Sequence, residues 1–194
     1  MKQGQDLELF DVRLKTKRLD LRVASVGDAE ALLAFARHNR EPHSAWDPRR
    51  TEAYYELPWW RDHLDLMAIE IKAGRAAPFV GFLRDGGELV LRANLSNVVR
   101  GAFQAAYLGF AVDHQQEGQG LAFEGVDAVV RFGLGDWNLH RVMANYRPNN
   151  KRSEAILGRL GFEREGLAND YLFIDGAWRD HVLTSRSSDD WVHP

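Results

Sequence analysis

Cysteine is absent from the 194-residue chain, and this absence limits the chemistry that the protein can use. A structural disulfide, a thiolate metal site and a cysteine nucleophile are all excluded. Residues 1–10 lack the apolar core of a secretory signal, so we expect no signal peptide. No apolar run approaches the ~20 residues of a membrane span. We therefore expect a cytoplasmic location, no membrane partner and no metal.

The net charge is also small: the chain has 25 Lys and Arg and 28 Asp and Glu, which gives a formal net charge of −3. A general nucleic-acid binder needs a basic surface. The charge balance argues against that class, and we find no nucleic-acid-binding motif. Hydrophobic residues make up 45% of the chain, which is ordinary for a globular protein long enough to bury a sizeable core.

The organisation indicates one α/β domain, without a low-complexity linker or an internal repeat. We predict an N-terminal arm over residues 1–13, a single domain over 14–186 and a tail over 187–194. Apolar spacing predicts strands over 16–23, 78–84, 88–96, 105–112, 141–146, 171–174 and 178–184. It predicts helices over 27–39, 58–73, 118–134 and 150–160. This order favours a mixed sheet with helices on both faces.

The turn between the predicted strand 105–112 and the following helix carries the main chemical signal. It reads Gln115-Gln116-Glu117-Gly118-Gln119-Gly120. A helix start exposes unpaired N–H groups and a positive dipole end, and glycines let an anion approach the backbone. The turn could therefore hold a diphosphate. No Lys follows Gly120, as a Walker A loop requires, and the glycine spacing is not that of a Rossmann fingerprint. A plain helix-initiating loop remains the alternative.

Gln115-x-x-Gly118-x-Gly120 resembles the Q/R-x-x-G-x-G/A signature of the GNAT acetyltransferases. Asn150-Lys151-Arg152-Ser153 followed by Leu160-Gly161-Phe162 is similar to a second segment of that family. The blocks at 94–101, 140–146 and 170–181 narrow the resemblance to bacterial ribosomal-protein-alanine N-acetyltransferases of the RimJ and RimL type. The resemblance extends from about residue 14 to 184.

The resemblance implies the GNAT fold, an α+β arrangement with a mostly antiparallel sheet of about seven strands that splay at an acetyl-CoA site. It implies acetyl-CoA as the cosubstrate. The implied coenzyme contacts are Phe110, Ala111, Val112, Gln115, Gln116, Glu117, Gly118, Gln119, Gly120, Leu121, Asn145, Asn150 and Ser153. Core packing remains an alternative role for Phe110 and Val112. Asn150 is also a good helix N-cap, and Ser153 could instead bond back to a helix carbonyl.

Many relatives carry an acid/base tyrosine where this chain has Leu157, so that role does not transfer. RimJ- and RimL-like enzymes imply Asp170, at the start of the penultimate strand, and Ser153 as the catalytic pair. A surface turn carboxylate is the alternative for Asp170. Glu124 and His140 are weaker candidates. Trp46 is the implied wall of the acceptor site, whereas we expect Trp60 to anchor the core.

The leading functional hypothesis is acetylation of a protein N-terminal α-amine, with the alanine of ribosomal protein S5 implied by the resemblance. The implied partners are that N-terminal segment and the small ribosomal subunit. An α-amine has a pKa of about 7.7–8.0 and needs less help to deprotonate than lysine at about 10.4. Two alternatives stay open: an acetyltransferase for a small amine, and a ribosome-assembly factor in which binding dominates.

Overall fold

The computed structural model describes residues 8–193. Over that range it contains the strands β1 Arg13–Lys15, β2 Leu19–Val23, β3 Ala77–Leu83, β4 Leu89–Val99, β5 Ala105–Val112, β6 Arg141–Met143, β7 Glu163–Ile174 and β8 Ala177–Ser187. The α-helices are α1 Ala29–His38, α2 Leu57–Lys72, α3 Leu121–Leu134 and α4 Lys151–Arg159. None of the helices within residues 8–193 is both long and apolar enough to cross a membrane.

The strands form one sheet in the order β1-β2-β3-β4-β5-β6-β8-β7. Every neighbouring pair is antiparallel except β5 and β6, which run parallel. The predicted mixed, mostly antiparallel α/β fold is confirmed, with eight strands rather than about seven. The added strand is β1, whose three residues pair with β2 and are too few to show an alternating pattern.

Helices cover both faces of the sheet, as expected. Successive β3 residues point to opposite faces, and Phe79 and Val80 belong to two different clusters of buried side chains. The cluster of Phe79 includes buried residues of α3 and α4, whereas the cluster of Val80 includes residues of α1 and Trp60 of α2. Trp60 is only 2% exposed, which confirms its predicted role as a core anchor.

Two predicted turns are formed, and one strand is longer than predicted. Asp175 and Gly176 both have positive φ angles, 50° and 72°, as a type I′ turn requires. The second turn, Asp85-Gly86-Gly87, joins β3 to β4. Strand β7 begins at Glu163 rather than at residue 171. Two register shifts in its pairing with β8 interrupt the alternation by which a strand is recognised in the sequence.

The predicted arm, residues 1–13, falls partly outside the described residues, which begin at Glu8. In the described part, Leu9 is 4% exposed and packs in the main core. At the other end, β8 runs to Ser187, one residue into the predicted tail. The division into arm, domain and tail stays a prediction.

Candidate functional site

A cleft opens where strands β5 and β6 separate. The two strands pair only at Ala105, Ala106 and Tyr107, and β6 ends at Met143. The rest of β5, residues 108–112, therefore has no strand partner on that side. The opening, which we call the β5–β6 cleft, has a volume of about 340 Å³. Of the predicted site residues, it is lined by Trp46, Phe110, Ala111, Val112, Gln116, Glu117, Gly118, Gly120, Asn150 and Ser153.

The glycine turn, residues 118–120, has a geometry suited to an anion. Gly118 and Gly120 have φ angles of 76° and 79°, in the left-handed region that glycine adopts without steric cost. Gly120 is the N-cap of α3. A Cβ at Gly118 would meet no atom within 4 Å, and one at Gly120 would meet only Arg18 Nη2 at 3.6 Å. The space that an anionic ligand needs beside these backbone N–H groups is thus open.

Arg18 and Glu124 brace this turn from the side. Arg18 donates to the carbonyl of Gln119 at 2.9 Å and to Glu124 Oε2 at 2.7 Å. Burial raises the pKa of Glu124, but hydrogen bonds from Thr16 and Arg18 outweigh that effect and hold it below the ordinary value. Glu124 therefore stays ionised and supports the turn, and it does not line the β5–β6 cleft.

A buried polar cluster holds the other end of the turn. Asp113 Oδ1 accepts from the backbone N–H of Gln115 at 2.9 Å, and Asn39 Nδ2 donates to Asp113 Oδ2 at 3.0 Å. The Asn39 side chain also accepts from the backbone N–H of His114. Ligand atoms of His38, Asp113 and His114 lie within 4.8 Å of one another. The bonds to Asp113 give this cluster a structural role in shaping the turn, and the expectation of no metal stays a prediction.

Charged side chains of α4 also line the cleft. Arg152 forms an ion pair with Glu117, and both residues line the cleft. The Arg159 guanidinium lies 4.1 Å from the centroid of the Phe123 ring. Arg152, Arg159 and Phe123 also line the cleft, although no sequence pattern predicts them as lining residues. Both arginines lie on the helix that begins with the Asn150–Ser153 segment, and that position was the available signal.

Helix α4 presents Asn150 and Ser153 to the cleft. The Asn150 side chain accepts from the backbone N–H of Ser153 at 3.1 Å, which confirms its role as N-cap. It also lines the cleft. Within residues 8–193 the Ser153 hydroxyl has no hydrogen-bond partner, so the alternative back-bond to a helix carbonyl is not formed. A half-buried hydroxyl without a protein partner is available to a ligand.

Other predicted site residues lie outside the lining of the cleft: Gln115, Gln119, Leu121, Asn145 and Asp170. The Asn145 side chain donates to the Tyr171 hydroxyl at 3.1 Å and accepts from the Thr184 N–H at 3.3 Å. Asp170 is exposed at a bulge inside β7, with a φ of 48°. Its N–H donates to Asp180 Oδ1. Asp170 thus lies well within the penultimate strand and not at its start, because β7 is longer than the sequence predicts.

The loop after α1 provides the remaining wall of the cleft. Trp46, which is 38% exposed, lines the cleft and lies under the Arg147 guanidinium at 5.6 Å. His43 and Asp47, which no sequence pattern predicts as site residues, line the cleft as well. His43 Nε2 is 3.1 Å from the carbonyl oxygen of Val112, a bond that ties the loop to β5. No spacing rule signals two polar residues in a polar loop.

The sequence-family model of the acetyltransferase (GNAT) domain matches residues 18–163 of the chain. The chain belongs to the GNAT acetyltransferase family. It is similar to the [ribosomal protein uS5]-alanine N-acetyltransferase of Escherichia coli (strain K12), with 44% identity over 181 residues that cover 93% of each chain. The family membership and this similarity establish the chain as an N-acetyltransferase.

Two solved structures of GNAT enzymes resemble this one closely. The ribosomal-protein-S5-alanine acetyltransferase from Vibrio fischeri superposes with a TM-score of 0.91 at 32% identity, covering 94% of this chain and 100% of that one. Mycobacterium smegmatis RimJ, solved with CoA-disulfide, superposes with a TM-score of 0.85 at 29% identity, covering 94% and 88%. The splayed strands of the β5–β6 cleft agree with the fold that the resemblance implies.

Proposed function

We propose that the protein transfers the acetyl group of acetyl-CoA to the α-amino group of a protein N-terminus, with the terminal alanine of ribosomal protein uS5 as the acceptor. The observation that carries this proposal is the β5–β6 cleft, which joins an unpaired strand edge to an open glycine turn. The similarity to the uS5-alanine enzyme supports the choice of acceptor. A cytoplasmic location and contact with the small ribosomal subunit belong to the same proposal.

The residues of the cleft fit acetyl-CoA. The N–H groups that begin α3 would hold the pyrophosphate, because a helix N-terminus carries free donors and a partial positive charge. Gln115, Gln119 and Leu121 take part only through their backbone in this scheme, since none of the three lines the cleft. The free edge of β5 at Phe110, Ala111 and Val112 would bond the pantetheine arm as a missing strand would.

Acetyl transfer then needs positioning more than strong acid or base chemistry. A neutral amine attacks the thioester carbonyl carbon, a C–N bond forms, the C–S bond breaks and the sulfur leaves as a thiolate. A backbone N–H of the β5 edge would stabilise the charge that develops on the carbonyl oxygen. The free hydroxyl of Ser153 would donate to the departing sulfur. An α-amine needs only a modest base, directly or through water.

Two carboxylates compete for the role of that base. Asp170 follows from the resemblance, but it is exposed in β7 and does not line the cleft. Asp47 lines the cleft and has no ion-pair partner within residues 8–193. We retain Asp170 as the predicted base and set Asp47 beside it as the rival that the geometry favours.

The acceptor is tested by mass spectrometry of N-terminal peptides incubated with acetyl-CoA. We expect acetylation at the α-amine of peptides that begin with alanine, uS5 first among them. Turnover of a polyamine or an aminoglycoside, with no turnover of such peptides, would favour the small-amine alternative. CoA binding without acetylation of any amine would favour the assembly-factor alternative.

The base is tested with Asp170→Asn and Asp47→Asn, each followed from pH 6 to 9. The variant that lacks the base should lose most of its rate at low pH, where little of the amine is already neutral. The other variant should follow the wild-type profile. A profile unchanged in both variants would remove both carboxylates from the mechanism and leave water as the proton acceptor.

A further inference from the structure

A second pocket, of about 230 Å³, adjoins the β5–β6 cleft. It shares His43 and Asp47 with the cleft and lies between α1, the loop that follows it and β4. Four arginines line it: Arg40, Arg49, Arg50 and Arg92. We call it the arginine pocket. Its size is below the about 300–1,000 Å³ of most small-molecule sites, so a single side chain suits it.

Two of the four arginines are already neutralised by the protein. Arg40 is paired with Glu52. Arg49 Nη2 lies 3.3 Å from Asp175 Oδ1 in the β7–β8 turn. In each pair the opposite charges largely cancel, so these two arginines contribute little net charge to the pocket.

The other two arginines, Arg50 and Arg92, have no carboxylate within salt-bridge distance in the described part of the chain. Arg92 is half-buried and donates to the Tyr54 hydroxyl at 3.2 Å, and its guanidinium lies 5.4 Å from the Trp60 ring centroid. The Arg50 guanidinium lies 4.8 Å from the Tyr54 ring centroid. Aromatic faces thus hold both charges in place and leave the remaining guanidinium N–H groups, those not bonded to Tyr54, to bind an anion.

Burial and the positive charge of this region lower the pKa of a nearby histidine, His63. Burial lowers the pKa of His63, and the charges of Arg92 and Arg50 lower it further. Asp47 is the opposing charge, and it stands where the pocket meets the cleft. A ligand that matches this arrangement carries a positive end toward Asp47 and a negative group toward Arg50 and Arg92.

The sheet register connects the pocket to the reacting end of the cleft. Arg92 of β4 is the direct partner of Ala111 in β5, and Ala111 lines the cleft. Side chains of paired residues lie on the same face of a sheet, about 4.5–5.5 Å apart at Cβ. An extended peptide spans at most about 3.3–3.6 Å per residue. A group in the arginine pocket is therefore only a few residues away from an amine in the cleft.

We propose that the arginine pocket receives the carboxylate of an acidic residue lying within the first few positions after the acetylated N-terminal residue. The inference rests on the proposed function, because it requires a peptide acceptor in the adjoining cleft. It names Arg92 and Arg50 as specificity-determining residues for Asp or Glu. It also disfavours polyamines, since the unpaired guanidinium groups would repel additional positive charges.

Binding is the direct test, because it separates recognition from turnover. The test peptides begin with alanine and carry Glu at position 2, 3, 4 or 5. Each is compared with a peptide that has Gln at the same position. Their Kd values are measured by calorimetry with CoA present, so that no acetyl group is transferred. We expect one position at which Glu binds about tenfold more tightly than Gln, as a charge-assisted hydrogen bond gives. Arg92→Gln and Arg50→Gln should abolish that preference.

Arg131→Gln is the matched control, since this exposed arginine of α3 pairs with Asp127 and lines neither the cleft nor the arginine pocket. It should keep the tenfold preference. Arg50 is exposed, so its variant reports on the pocket even if Arg92→Gln folds poorly. Equal binding of Glu and Gln at every position, or a preference that survives in both pocket variants, would overturn the proposal. Turnover with acetyl-CoA, measured separately, reports on the proposed function alone.

Discussion

Gly120→Ala should separate the stability of the glycine turn from its capacity to bind an anion. In the free protein the new methyl group would meet only Arg18 Nη2, at the ordinary contact distance of 3.6 Å. The cost to folding is therefore conformational. An alanine held at a φ of 79° costs about 1–2 kcal/mol. For a chain of this size each 1 kcal/mol lowers Tm by about 2–4 °C.

The cost to coenzyme binding should be larger, because the methyl group would occupy the space that the pyrophosphate has to enter. A hydrogen bond to a charged group contributes about 1.5–3 kcal/mol, so the loss of one such bond weakens binding by about 10- to 150-fold. Kd for CoA is measured by calorimetry, and Tm by differential scanning calorimetry.

Gly101→Ala is the matched control for this experiment. Gly101 has a φ of 71° and open space around it, but it lies in the loop after β4 and does not line the cleft. It should lose the same stability and keep wild-type affinity for CoA. If the two variants lose affinity equally, or if Gly120→Ala binds CoA as the wild type does, the pyrophosphate does not lie in the glycine turn.

Three further predictions concern catalysis, packing and pH. Ser153→Ala should lower kcat by about tenfold, because the hydroxyl would no longer donate to the departing sulfur. Its Tm should not change, since the hydroxyl has no hydrogen-bond partner within residues 8–193. An unchanged kcat would exclude a role at the sulfur. Gly125→Ala should destabilise the fold by about 1–3 kcal/mol, because the methyl group would lie 2.1 Å from a leucine of β4. Gly158→Ala on α4 should stabilise the fold slightly, because its methyl group would meet nothing within 4 Å. Urea denaturation that ranks the two variants in the opposite order would contradict this packing. Asp28→Asn should cost about 2 kcal/mol at pH 7 in the same assay, since it breaks the ion pair between the buried Asp28 and the half-buried Arg22. Burial raises the pKa of Asp28, but its hydrogen bonds lower it more, so the pKa in the folded protein is depressed. The difference in stability between the wild type and Asp28→Asn should therefore be constant above about pH 5 and shrink as the pH falls below about 4. A difference that does not depend on pH would refute this assignment.

Much of the fold was predictable because the signals are local. Hydrophobic spacing predicts the four helices and most strands to within a few residues, and the pair Asp175-Gly176 predicts the turn between β7 and β8. The glycine turn was equally local, since Gly118 and Gly120 must accept positive φ angles wherever the strand and helix around them lie. Strand β7 was truncated in the prediction because its bulges break the period of two on which strand recognition depends.

The sequence by itself determined the glycine turn, the Asn150 cap and the order of the elements, because each depends on residues a few positions apart. The tertiary structure alone decided which side chains share the site. Arg92 reaches Ala111 through sheet register, and His43 reaches Val112 across 69 positions of the chain. The same packing left Asp170 on an exposed bulge and brought Asp47 to the cleft. Pairing between strands distant in sequence depends on the whole set of core contacts, and no short window of the sequence contains them.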